Sequence, residues 1–132
     1  MPVSYNIDTA SKLMRITCAS PMTFADVANH FRELKEDPAF AGQLDAFADL
    51  SDADLLFETS QLGMITTEVA ALRAKAQFRI VAVVATSDVV FGIMRMLEVM
   101  VAGYLQAIRI FRSAPEADAW LAARRAEADL TQ

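Results

Sequence analysis

The chain has 132 residues, 55% of them hydrophobic, with a formal net charge of −5. That length suits one domain spanning residues 1–132 around one core, and its acidity, with twelve Lys and Arg scattered instead of clustered, argues against nucleic-acid binding. The single cysteine, Cys18, rules out an internal disulfide and a cysteine metal cluster. No basic and apolar leader opens the chain, and no apolar run reaches the ~20 residues of a spanning helix, so a cytoplasmic location is expected. The hydrophobic share also exceeds the usual ~45–50%, which predicts apolar surface left over once a core is filled.

VSYNID and KLMRITCA flank the turn TAS, and the alternation of Val3, Tyr5, Ile7 with Met14, Ile16, Cys18 predicts a hairpin with one buried face. The period then lengthens. Thr23 and Asp26 form a capping box, and Phe24, Val27, Ala28, Phe31 and Leu34 recur at helical spacing up to the Asp37-Pro38 break. LDAFADL (44–50) reads as a third strand, and a second helix is expected over about 60–77, with Ile65, Val69, Leu72 and Ala76 on its apolar stripe. The unbroken apolar run within FRIVAVVA (78–85) predicts an inner parallel strand covered on both faces.

SDVVFGIMRMLEVMVAG (87–103) predicts a third helix, IRIF (108–111) the last strand, and Ser113-Ala114-Pro115-Glu116 the start of a fourth helix that turns Trp120 and Leu121 inward. The expected architecture is therefore α/β, an N-terminal β-hairpin continued into a mostly parallel five-stranded sheet in the order β-β-α-β-α-β-α-β-α.

FADLSDAD (47–54), the FGIMRM helix and the ending IRIFRSAPEADAWL (108–121) resemble the SpoIIAA-like proteins of the STAS group, and the likeness extends over nearly the whole chain. The resemblance implies a STAS-type domain that binds protein partners, some of them under the control of a phosphate on a helix-opening Ser. It also implies kinship in fold with the CRAL-TRIO class, which holds lipids. LFETSQLG (56–63) lies on that group's Asp-Ser-Ser-Gly-Leu-Gly segment with Glu58 for Asp, Thr59 and Ser60 for the two Ser, and Leu62-Gly63 retained. Gln61 stands in place of the Gly. The resemblance thus offers Thr59 and Ser60 as phosphoacceptors, while the residues themselves read first as ordinary hydroxyl caps at a helix start.

No nucleophile, base and orienting group can be assembled from the chain, which predicts a non-enzymatic protein without cofactor or bound metal. His30, the single histidine, is placed with Asp26 and Glu33 on the solvated side of its helix; Cys18 is expected as a small buried thiol, and Asp52 and Asp54 as turn residues. The third helix holds the strongest signal. Val90, Ile93, Leu97, Val101 and Tyr104 should face the sheet, with Asp88, Arg95 and Glu98 roughly opposite. Phe91 and Val99 fall within that polar stripe, and Val89, Met96 and Met100 on its flank. Phe91, Arg95, Met96, Val99 and Met100 are accordingly the candidate contact surface for a homodimer or another protein partner, unless the fourth helix or residues 103–107 cover it. The alternative is a small carrier that holds a lipid or other apolar ligand between the third helix and the sheet; the thioethers of Met94, Met96 and Met100 suit either role.

Overall fold

The computed structural model describes residues 2–130. The alternating segments form β1 (Val3–Asp8) and β2 (Leu13–Ala19), antiparallel, with Val3 opposite Cys18, Tyr5 opposite Ile16 and Ile7 opposite Met14. α1 (Phe24–Glu36) opens with the expected box, in which Asp26 N–H donates to Thr23 Oγ1 at 3.2 Å and Thr23 N–H to Asp26 Oδ2 at 2.8 Å. Its last carbonyls are gathered from far along the chain. Lys75 Nζ donates to the carbonyls of Leu34, Lys35 and Asp37 at 3.0, 2.7 and 2.6 Å, which sets a cation on the negative end of the helix.

β3 (Gly42–Asp52) is followed by a 3-10 turn at Thr59–Gln61, α2 (Leu62–Leu72), β4 (Ala76–Val84), α3 (Asp88–Val101), β5 (Ala107–Phe111) and α4 (Ala114–Leu130). The five strands lie side by side in chain order, and every pair after the hairpin is parallel. The element order, the N-terminal hairpin and the mostly parallel sheet are those read from the sequence. The second helix is shorter than expected, ending at Leu72 instead of running to residue 77. Arg73-Ala74-Lys75-Ala76-Gln77 contains strong helix formers, so nothing local stops the helix. The sheet does: Ala76 pairs with Gly42 and Gln77 with Gln43, and tertiary pairing overrides propensity.

Successive side chains of β3 point to opposite faces. Leu44, Ala46, Ala48 and Leu50 meet buried side chains of α1, α2 and α3, such as Leu34, Ile65 and Met94. Phe47 faces the other way, toward Ile80, Val84, Phe111 and the α4 residues Ala117 and Leu121, while Trp120 lies with its ring 5.6 Å from that of Phe111. Three helices thus cover one face of the sheet and α4 the other.

One irregularity interrupts the ladder. Leu44 pairs with Phe78 but Ala46 with Val81, so Asp45 alone stands opposite both Arg79 and Ile80. This is a β-bulge, which leaves one residue's backbone without its regular partner.

Candidate functional site

The middle of the three-helix face is built from small side chains. Ala46 and Ala48 offer only methyl groups on the central strand of the sheet, while larger residues such as Met14, Phe40 and Leu44 are buried in the core around Ala46. A cavity of about 180 Å³ results, floored by Ala46, Ala48 and Val81 and roofed by Phe31, Ile65 and Leu97, one from each helix. Val81 sits on an inner strand yet is only half-buried, because its side chain faces this space. Close-packed interiors contain few voids larger than a water molecule. A cavity of ~150 Å³ lined by aliphatic and aromatic groups stays dry and accepts benzene, so this volume can hold one ring and a few further atoms.

Besides the weakly accepting thioethers of Met22 and Met94, Cys18 and His30 are the lining side chains with hydrogen-bonding atoms, and those atoms scarcely reach the cavity surface. Burial pushes the Cys18 thiol up to about 11, with Asp49 adding to the shift, so the sulfur stays protonated at neutral pH and is no nucleophile. His30 is not the solvated residue expected from the sequence. It is half-buried, its ring edge-on to that of Tyr5 at 5.3 Å and tilted 5.8 Å from that of Phe31. Its Nδ1 is shut away from solvent with no hydrogen-bond partner in the protein. Burial lowers its pKa to about 4, and the ring is therefore neutral at physiological pH.

The reason for this correction is geometric. Val27, His30, Phe31 and Leu34 follow the i, i+3, i+4, i+7 spacing of a single apolar face, and α1 packs on β1 as well as on the inner strands, so its covered arc is wide enough to include His30. Tyr5, on β1, also ties the hairpin to the end of α1. Its hydroxyl donates to Asp37 Oδ2 at 2.7 Å, and burial together with that carboxylate raises the phenol to about 12.

The opposite face holds a buried ionic cluster that sequence reading missed. Asp45, 1% exposed, accepts from Arg79 Nε at 2.9 Å, Arg79 Nη2 at 2.8 Å, the N–H of Ile80 at 3.2 Å and Arg125 Nε at 2.7 Å. Arg79 also pairs with Asp129 at 3.2 Å, and Arg125 donates to the carbonyl of Ser11 in the hairpin turn. The hydrogen bonds it donates to Asp45 hold the Arg79 guanidinium above its ordinary pKa, so it remains charged. With its oxygens taken up by four donors, Asp45 has no capacity to act as a base. It satisfies the bulged backbone of β4 and locks α4 to the sheet.

On α3, Val90, Met94 and Val101 are buried and Ile93 and Leu97 pack beneath them, while Tyr104 lies beyond the end of the helix, its ring 5.9 Å from the Arg73 guanidinium. The flank is bare. Val89 is 72%, Met96 48%, Val99 77% and Met100 40% exposed, so neither α4 nor residues 103–107 cover it. Two of the candidate contact residues are engaged within the protein: Phe91 is half-buried with the Arg112 guanidinium 4.1 Å from its ring centre, and Arg95 pairs with Glu98 at 2.9 Å.

Thr59 and Ser60 are exposed in the 3-10 turn and do not cap α2, whose N-cap is Gln61. Glu58 and Gln61 close that turn instead, with Glu58 N–H donating to Gln61 Oε1 at 2.9 Å and Ser60 Oγ to Glu58 Oε2 at 3.3 Å. Among the described residues, no group of three His, Cys, Asp or Glu could hold a metal ion, and no helix is long and apolar enough to cross a membrane. No model of a known protein family matches the chain, and no curated protein matches it.

Proposed function

We propose that the protein is a non-enzymatic binding module that carries a small apolar molecule in the cavity between its three-helix layer and its sheet. The observation that carries this reading is the cavity itself, about 180 Å³ of space under α1, α2 and α3 with an apolar lining. The resemblance to SpoIIAA-like, STAS-type domains favours binding over catalysis, and the protonated Cys18 and neutral His30 offer no activated nucleophile or paired acid and base.

Ala48→Leu tests it. The larger side chain enters the cavity from its floor, and cavity filling is expected to raise the unfolding free energy by roughly 0.5–2 kcal/mol. The wild type should melt at a higher temperature in saturating toluene, because a ligand that binds only the folded state stabilises it. Ala48→Leu should show no such rise. A wild type whose melting temperature is indifferent to toluene would remove the basis of the proposal.

A second reading, self-association, is favoured by the uncovered flank of α3. A two-fold contact lets one apolar patch serve both subunits, and each fully buried Val or Met contributes about 1.5–3 kcal/mol before association costs. Light scattering should find a dimer for the wild type and a monomer for Met96→Glu/Met100→Glu, with circular dichroism confirming that the variant folds. A monomeric wild type refutes self-association and leaves the cavity reading untouched.

A further inference from the structure

A guest in this cavity could meet polarity from two sources, the backbone of the walls and the heteroatoms of the lining side chains. The floor closes the first. Ala46 and Ala48 lie on β3, paired to β2 on one side and β4 on the other, and Val81 lies on β4 between β3 and β5. Their N–H and C=O groups run in the plane of the sheet toward neighbouring strands, not into the space above it. In the roof, Phe31, Ile65 and Leu97 belong to helices whose backbone groups bond along their own axes.

The side chains close the second source. The Met22 and Met94 thioethers are weak acceptors and the Cys18 thiol a weak donor, and Nδ1 of His30 is shut off from the cavity as it is from solvent. No other lining side chain carries a nitrogen, oxygen or sulfur atom, so the surface offered to a guest is almost entirely apolar. A hydroxyl, carbonyl or amide carried from water into such a space gives up its hydrogen bonds and regains none, and a carboxylate or phosphate loses far more. Size sets a further limit. A cavity of ~150 Å³ takes the six carbons of benzene, so about 180 Å³ has room for roughly seven.

We infer that the guest is a hydrocarbon of about seven carbons, one ring or a short branched chain, without any hydrogen-bonding atom. Phenols, alcohols, ketones and long-chain fatty acids are refused as enclosed guests, the last for want of room as well. This rests on the reading of the cavity as a ligand site and adds to it the chemical class of the guest. Selection works by exclusion: the cavity admits and rejects as a liquid alkane does, with no contact that rewards a polar atom.

NMR titration of the full chain with toluene, p-fluorotoluene and p-cresol, followed on the methyl groups of Ala46 and Ala48, tests the class. p-Fluorotoluene and p-cresol are close in size, and only the second must bury a hydroxyl. Toluene and p-fluorotoluene should both bind. p-Cresol should bind more than about thirtyfold more weakly than p-fluorotoluene, because a medium that partly satisfies a hydroxyl discriminates by up to about that factor and one that leaves it unsatisfied exceeds it. If none of the three binds, the cavity is no ligand site and the proposed function falls with this inference. If toluene binds while p-cresol comes within that factor of p-fluorotoluene, the hydrocarbon class is overturned and the cavity reading stands.

Discussion

Asp45→Ala is expected to lower the unfolding free energy by about 3–5 kcal/mol, the usual cost of removing one partner from a buried ion pair. The size of the effect comes from what is left behind. Without the carboxylate, the Arg79 and Arg125 guanidiniums face each other across a buried site, and the bulged N–H of Ile80 loses its acceptor. For a domain whose total stability is of the order of 5–15 kcal/mol, such a loss is a large fraction of the whole. Urea denaturation followed by circular dichroism measures it. The triple variant Asp45→Leu/Arg79→Met/Arg125→Met should recover most of the loss, because an entire buried ionic cluster can be exchanged for apolar groups at little net cost. A loss below ~1 kcal/mol in Asp45→Ala would mean that water reaches the cluster and that α4 is held by its apolar contacts alone.

The second large effect is on acid stability and belongs to His30. Its folded pKa of about 4 lies below the ordinary 6.5, so between these values the unfolded chain binds a proton that the folded protein refuses. Stability therefore rises with pH through this window: the contribution is fully present above pH ~6.5 and is lost as the pH falls toward 4. A shift of that size corresponds to about 3 kcal/mol. His30→Phe should abolish this part of the acid loss and leave the decline below pH 4, where carboxylates such as Asp37, held down by its bond from Tyr5, begin to protonate. Denaturation midpoints at pH 7, 5.5 and 4.5 for both proteins decide the matter. Parallel curves would show that protonated His30 is accommodated without cost. At the alkaline end Cys18, raised to about 11 from its ordinary 9, acts with the opposite sign: the unfolded chain gives up its proton first and stability falls above pH ~9.

The strands and helices were legible because each is written in its own period. Val3, Tyr5 and Ile7 alternate, Val27, Phe31 and Leu34 step by helical turns, and Thr23 with Asp26 marks a boundary that a side chain makes physically. The α2 terminus was not, since Ala76 belongs to β4 through its pairing with Gly42, a partner 34 residues earlier that no local window contains. The same holds for Asp45, whose value depends on Arg79 and Arg125, 34 and 80 residues away. In the sequence it is one more acid in LDAFADL. The cavity is harder still to read, because it comes from what Ala46 and Ala48 fail to fill once three helices are in place. His30 was within reach of the same reasoning: its spacing from Val27 and Leu34 belongs to the apolar face, but a stripe drawn narrowly through Val27, Phe31 and Leu34 leaves it on the side of Asp26 and Glu33.

The reach of Arg125 bears on the order in which the fold is assembled. It joins the last helix to Asp45 and, 114 residues back, to the hairpin turn at Ser11. Closing so long a span comes at an entropic cost that local contacts do not share, and such contacts form late. A ribosome making this chain from its N-terminus releases all five strands before it releases Arg125, so Phe47, Ile80 and Val84 stay uncovered until α4 arrives. This face of the sheet is sealed only once α4 has emerged, and a product cut short before α4 would present to the cell's proteases the apolar face of an unfinished sheet.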